Sequence, residues 1–141
     1  MLDTKLGLIV VYTLMVLPIV IWIMRDQFNA IPLELEQAAQ VDGASIWGAF
    51  TRIVLPIALP GMVAAFILSV VLCWNEYFFA ALLTSTDAKT LPVMVASQTG
   101  SQGIDWWSMA ALSTAAIAPL VLIGIFLERY IVKGLTAGAI K

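Results

Sequence analysis

The sequence has no histidine among its 141 residues. That removes histidine-assisted serine or cysteine nucleophiles and any histidine-ligated metal. It has one cysteine, Cys73, which cannot form an internal disulfide. Cys73 lies in an apolar run and reads as a small packing residue. Charge is scarce: 11% of the residues are charged, against about a quarter in a soluble domain. The formal net charge of -2 points to no strongly acidic or basic partner, and nothing resembles a nucleic-acid footprint. What the chain has instead is apolar length, with 62% hydrophobic residues, so lipid is its expected solvent.

Three runs are long and almost free of charge. Residues 6–24 read "LGLIVVYTLMVLPIVIWIM". At about 1.5 Å per residue, this run crosses most of a roughly 30 Å hydrocarbon core. A signal peptide is the competing reading, but no small-residue cleavage site comes before Arg25. Pro18 should kink a helix there, which membrane helices tolerate when neighbours satisfy the freed carbonyl. The second run covers about residues 60–83 and is charge-free until Glu76; the third covers 109–127. In the third, Ala110, Thr114 and Ala118 recur every four positions, as do Ala111 and Ala115. This is either a helix-packing face or the ordinary abundance of alanine in membrane helices. The expected fold class is an all-α membrane protein with three transmembrane helices.

Positive charge sets the orientation. Arg25, Arg52, Arg129, Lys133 and Lys141 fall on one side of the spans, and Lys5 and Lys89 on the other. The positive-inside rule then places the C-terminus and residues 25–56 in the cytoplasm. The segment 84–107 faces outward, with Trp106 and Trp107 where an interfacial aromatic belt belongs. An odd number of spans leaves Met1 outside, which suggests that upstream spans are missing or lie on another chain.

Between the first two spans lies a segment, 32–56, too polar to cross a bilayer. Pro32 suits the first position of a helix, and Glu34 and Glu36 fall in its first turn, opposite the positive end of the dipole. The helical spacing breaks at Asp42-Gly43, where glycine accepts φ > 0. Ser45 is the expected N-cap of a second short helix, and Pro56 and Pro60 are expected to mark entry to the second span. Two readings stand for this bent pair: an element with a low-bulk surface at Ala38, Ala39 and Gly43 that docks in a protein groove, or an amphipathic helix resting on lipid.

The same segment resembles the EAA motif of bacterial ABC-transporter permeases, E-A-A-x3-G-x9-I-x-L-P. Here it reads Gln37-Ala38-Ala39, Gly43, Ile53 and Leu55-Pro56. Gln37 replaces the motif's glutamate, so it keeps hydrogen bonding without charge. "WNEYFFAALL" from Trp74, "KTLPV" from Lys89 and "ERYIVKGLTAGAIK" from Glu128 are similar to the carbohydrate-uptake branch, of maltose type. "ASQTGSQGIDWWSMAAL" from Ala96 looks most like permeases for sugar alcohols such as sorbitol and mannitol.

The resemblance covers the whole chain, 1–141, as the C-terminal half of a permease domain that is N-terminally truncated. It implies a closed bundle of about six spans in the bacterial inner membrane. It implies a second permease subunit, two ABC ATPase subunits that bind the ATP, and an extracytoplasmic solute-binding protein. No catalytic residue, metal or cofactor is implied for this chain. The coupling loop that docks on the ATPase would be Glu36, Gln37, Ala38, Ala39, Asp42, Gly43, Ala44, Ile53, Leu55 and Pro56. Asn75 and Glu76 are candidates for the pathway or an outer gate; a carboxylate at mid-membrane costs about 3 kcal/mol and persists only with a partner or water. The alternative for Glu76 is a position near the outer interface where it reaches water. The outer loop would face the binding protein through Thr90, Leu91, Pro92, Gln98, Gly100 and Gly103, with a short helix near 93–98 and a turn at 100–103, or would merely connect. The tail, with Gly134 and Gly138, is expected to be irregular. The rivals are a membrane scaffold that binds an ATPase without transporting, and an intramembrane enzyme, which the lack of histidine and of paired carboxylates in the spans weakens.

Overall fold

The computed structural model describes residues 2–100 and 103–137, with backbone only for Gly100, Ile104 and residues 127–137. In lipid every backbone N–H and C=O must find a partner within its own segment, so the apolar runs become helices. Helix α1 spans Lys5–Asn29 and carries Pro18 inside it. Then come α2 (Leu33–Val41) and α3 (Ile46–Ala49), which form an elbow. A π-helical turn, Phe50–Val54, leads directly into α4 (Leu55–Trp74). Two short helices follow, α5 (Phe78–Leu83) and α6 (Leu91–Ala96). Strands β1 (Thr99–Gly100) and β2 (Gly103–Ile104) pair antiparallel, with Thr99 opposite Ile104. Helix α7 runs Trp106–Ala137. Three helices, Lys5–Asn29, Ile46–Trp74 and Trp106–Phe126, are long and apolar enough to cross a membrane. The fold is an all-α membrane architecture, as expected.

The second span differs from its expected bounds of 60–83. Its helix starts at Ile46, well before Pro60, and ends at Trp74. Pro56 and Pro60 lie inside the helix rather than at its entry. A proline ring collides with the carbonyl four residues earlier in a regular α-helix. The π turn immediately before Pro56 widens the backbone there, and the chain passes through. At the other end the helix stops at Trp74 because the Glu76 side chain takes over the backbone donors of a new helix, α5. Two smaller expectations also shift. Pro32 stands at the N-cap of α2, in extended conformation, not at its first helical residue. Helix α7 continues past Gly134, where an irregular tail was expected; one glycine costs a helix only about 1 kcal/mol. Gly138 and Lys141 lie outside the described residues.

The chain packs as two compact units. One joins the chain up to Leu17 with Ser69–Phe126. Its core is small: Leu8 of α1, Ala80 of α5 and Ala88 of the following loop are buried, with Tyr12, Leu83 and Val93 packed around them. The other unit is built on Pro18–Leu68. There a Cβ added at the buried Gly61 of α4 would collide with the Gln27 side chain of α1, so the glycine lets the two helices close together. Elsewhere large apolar side chains such as Trp22, Phe66 and Phe126 are exposed, which water would penalise and lipid or a partner helix would not.

Candidate functional site

The elbow is built from its backbone outward. Helix α2 ends as Asp42 N–H donates to the Ala38 carbonyl at 3.0 Å and Gly43 N–H to the Gln40 carbonyl at 3.0 Å. Gly43 then takes φ +87°, in the left-handed region that a side chain resists. Ala44 N–H returns to the Ala39 carbonyl at 2.9 Å, closing the bend. Ser45 caps α3, its Oγ accepting from Gly48 N–H at 3.1 Å. The glycine bend and the serine cap are both as the sequence predicts.

The bend sorts the motif residues by direction. Gln37, Ala38, Asp42 and Gly43 are exposed; Glu36 and Ala44 are half-buried. Ala39 is buried, 8% exposed. This corrects its placement on the low-bulk outer surface. Its methyl is used inside the elbow, and its size is needed for packing. Around the bend stand Val41, Ile46 and Trp47, each more than three-quarters exposed or at that value (87%, 75% and 77%). Ile53 and Leu55 are half-buried, in and just after the π turn, while Pro56 is exposed.

The outer candidates separate. Asn75 lines a cavity of about 490 Å³ with Trp74, Tyr77, Pro92 and Ser113 among its walls. Its Nδ2 donates to the Val71 carbonyl at 2.8 Å, leaving the amide oxygen for other use. Trp74 is fixed by an Nε1–H bond to the Ala116 carbonyl at 3.0 Å. Glu76 is not among the cavity walls. Its Oε1 accepts from Phe79 N–H at 2.9 Å and its Oε2 from Ala80 N–H at 3.1 Å. The Glu76 carboxylate, two residues past the end of the span at Trp74, therefore has backbone partners. Near it, the Tyr12 Oη and Thr90 Oγ1 are buried without hydrogen-bond partners among the described residues. In the loop expected to face outward, Thr90 precedes α6 with Leu91 and Pro92 in its first turn, and Gln98 Nε2 donates to the Met94 carbonyl at 3.2 Å. Gly100 and Gly103 face each other in the β ladder, Gly103 at φ +116°. Of these loop residues, only Pro92 reaches the Asn75 cavity.

Two carboxylates escaped the sequence reading. Asp105 caps α7, with Ser108 N–H at 3.2 Å and Ser108 Oγ at 2.6 Å, and the Ser108 hydroxyl holds its carboxyl below the usual range. An aspartate three residues before a serine at the head of an apolar run is a cap signal that sequence could have given. Asp3 gave no local signal, because its partners are far along the chain. Its carboxylate accepts from the backbone N–H groups of Ser85, Thr86, Asp87 and Ala88 at 2.8–3.3 Å and from the Ser85 and Thr86 hydroxyls at 2.8 and 2.9 Å. The Ser85 N–H, then the Thr86 N–H and the Ser85 hydroxyl, hold its carboxyl far below the ordinary carboxylate range.

A lowered folded pKa means that the Asp3 contribution is complete above the unfolded value of about 4 and is lost as pH falls through the folded one. The latch is therefore fully made at neutral pH. Asp3→Asn is expected to speed amide exchange at residues 85–88 roughly tenfold at pH 7, the scale of losing charge-assisted hydrogen bonds. Unchanged exchange would show that the carboxylate does not hold the loop.

Residues 1–137 match a protein family described as binding-protein-dependent transport system inner membrane component. The chain is 38% identical over 141 residues to the trehalose/maltose transport system permease protein MalG of Thermococcus litoralis, covering 99% of this chain and 51% of that protein. It is 39% identical over 142 residues to the trehalose transport system permease protein SugB of Mycobacterium tuberculosis, covering 99% and 52%. It is 34% identical over 140 residues to the probable ABC transporter permease protein y4oR of Sinorhizobium fredii, covering 99% and 50%. The chain spans about half the length of the curated relatives it matches.

Proposed function

The chain belongs to the family of binding-protein-dependent transport system inner membrane components, and from that premise we propose that it forms part of the solute pathway of an ABC importer for a sugar or sugar alcohol. It performs no chemistry of its own. ATP is bound and hydrolysed by separate ATPase subunits, a second permease subunit completes the pathway, and an extracytoplasmic binding protein delivers the solute to the outer loop. The elbow and the C-terminus face the cytoplasm. The names of two relatives, with trehalose and maltose in them, support the sugar class. The sorbitol- or mannitol-like choice rests on the outer-loop resemblance alone.

The observation that carries the coupling role is the shape of the elbow. A glycine bend at φ +87° leaves Ala38 and Gly43 bare on the outside, flanked by exposed Val41, Ile46 and Trp47. A small-residue notch rimmed by large apolar groups fits a protein groove better than a lipid surface, where basic residues would be expected on the polar face. ATP-driven movement of that groove would carry the elbow and bias two states of the bundle; several kcal/mol are needed to shift such a population decisively. On the outer side, Asn75 contributes to the pathway, and Glu76 supports the break in the span beside it.

The test is uptake into vesicles holding this chain, its partner permease and the ATPase, with the binding protein outside. Saturable, ATP-dependent uptake, competed by disaccharides or by sorbitol and mannitol, supports the proposal and fixes the class. Crosslinks from position 37 to the ATPase without uptake of any of these solutes would favour the scaffold reading instead.

A further inference from the structure

Phe50 belongs to no motif position, yet it stands at the head of the π turn that joins the elbow to the span. Its ring lies 6.3 Å from that of Phe28, in the last turn of α1, and 6.2 Å from that of Trp47 in α3, edge-on to the latter at 88°. Its carbonyl accepts the i→i+5 bond from Leu55 N–H. We propose that the π turn Phe50–Val54 is the hinge on which the elbow swings, and that Phe50 is the positioning residue that sets it. The inference rests on the coupling role proposed above.

The physical case concerns what a register change would require. In the π register Leu55 N–H bonds the Phe50 carbonyl; in an α register it would bond the Thr51 carbonyl. It has a partner either way. The next rung is missing in both registers, because Pro56 has no N–H. A change therefore stops at the proline and leaves α4 intact. Each residue of an α-helix turns the chain by about 100°, so adding or removing the extra residue of a π turn rotates everything before it through a large angle. Thr51 adds to the local bend, its Oγ1 donating to the Trp47 carbonyl at 2.8 Å, a contact that loosens helices. The ring of Phe50, held between Phe28 and Trp47, ties the hinge angle to both α1 and the elbow.

The test uses the assembled transporter. Phe50→Ala, at normal membrane abundance, is expected to lower uptake per ATP hydrolysed about tenfold while hydrolysis continues, as lost aromatic positioning rather than lost folding. Phe50→Tyr keeps the ring and should restore coupling. Phe28→Ala combined with Phe50→Ala should be no worse than Phe50→Ala alone, since both break the same pair. Amide exchange in the unmodified complex needs no variant: Val54 and Leu55 should change protection between nucleotide-free and ATP-bound states, and residues 63–67 should not. Uptake per ATP in Phe50→Ala equal to that of the unmodified transporter, or equal protection of Val54 and Leu55 in both states, overturns the hinge. If Ala38→Trp uncouples transport while these measurements stay flat, the hinge falls and the docking role stands. If Ala38→Trp leaves uptake intact, the docking role itself is lost.

Discussion

Replacing Ala38 by tryptophan is expected to cut solute uptake by the assembled transporter at least about tenfold while the chain stays folded and inserted, a loss on the scale of one interface anchor. Ala38 is exposed beside the bend, so an indole there would lie at the elbow's surface and fill the proposed docking notch. Ala39→Trp should behave differently. That methyl is buried, and an indole in its place would overpack the elbow, at a typical cost of about 1–3 kcal/mol or more. It should therefore lower membrane abundance as well as uptake. Uptake at the unmodified level in Ala38→Trp, with crosslinking to the ATPase retained, would remove the docking surface from the account. Gly43→Pro attacks the same element through the backbone. Proline fixes φ near -65°, whereas Gly43 sits at +87° and donates its N–H to Gln40.

Glu76→Ala is expected to destabilise the protein by about 1–3 kcal/mol, because Phe79 and Ala80 would lose the acceptor for their N–H groups at the start of α5. Glu76→Gln retains an acceptor oxygen and should lose less. The readout is the unfolding temperature of the purified complex, measured beside uptake. A cap and a solute ligand separate cleanly on these axes. Were Glu76 to contact solute, the glutamine variant would lose uptake at unchanged stability; loss of stability in the alanine variant, with uptake by the glutamine variant preserved, marks the cap.

Much of the elbow was legible in the sequence because its chemistry is local. A glycine after a helical run and a serine three residues before Gly48 specify the bend and the cap without help from distant residues. The spans were legible as lengths but not as boundaries. Pro56 and Pro60 are helix breakers by propensity, and only the π turn shows how the helix passes them. Glu76 is not a usual N-cap residue, so its backbone partners were hidden behind its charge. Ala38 and Ala39 look alike in any sequence reading; which of them faces out depends on how α2 folds back toward α3 and the π turn. Asp3 is the extreme case, since no window of sequence spans the 82 positions to Ser85.

That long-range tie has a mechanical meaning. A single carboxylate gathers four consecutive amides ahead of the first membrane helix and stitches that end of the helix to the strap beyond α5. A pull on either would be felt by the other through that one carboxylate. The stitch makes the head of α1 and the loop at residues 85–88 a single mechanical piece.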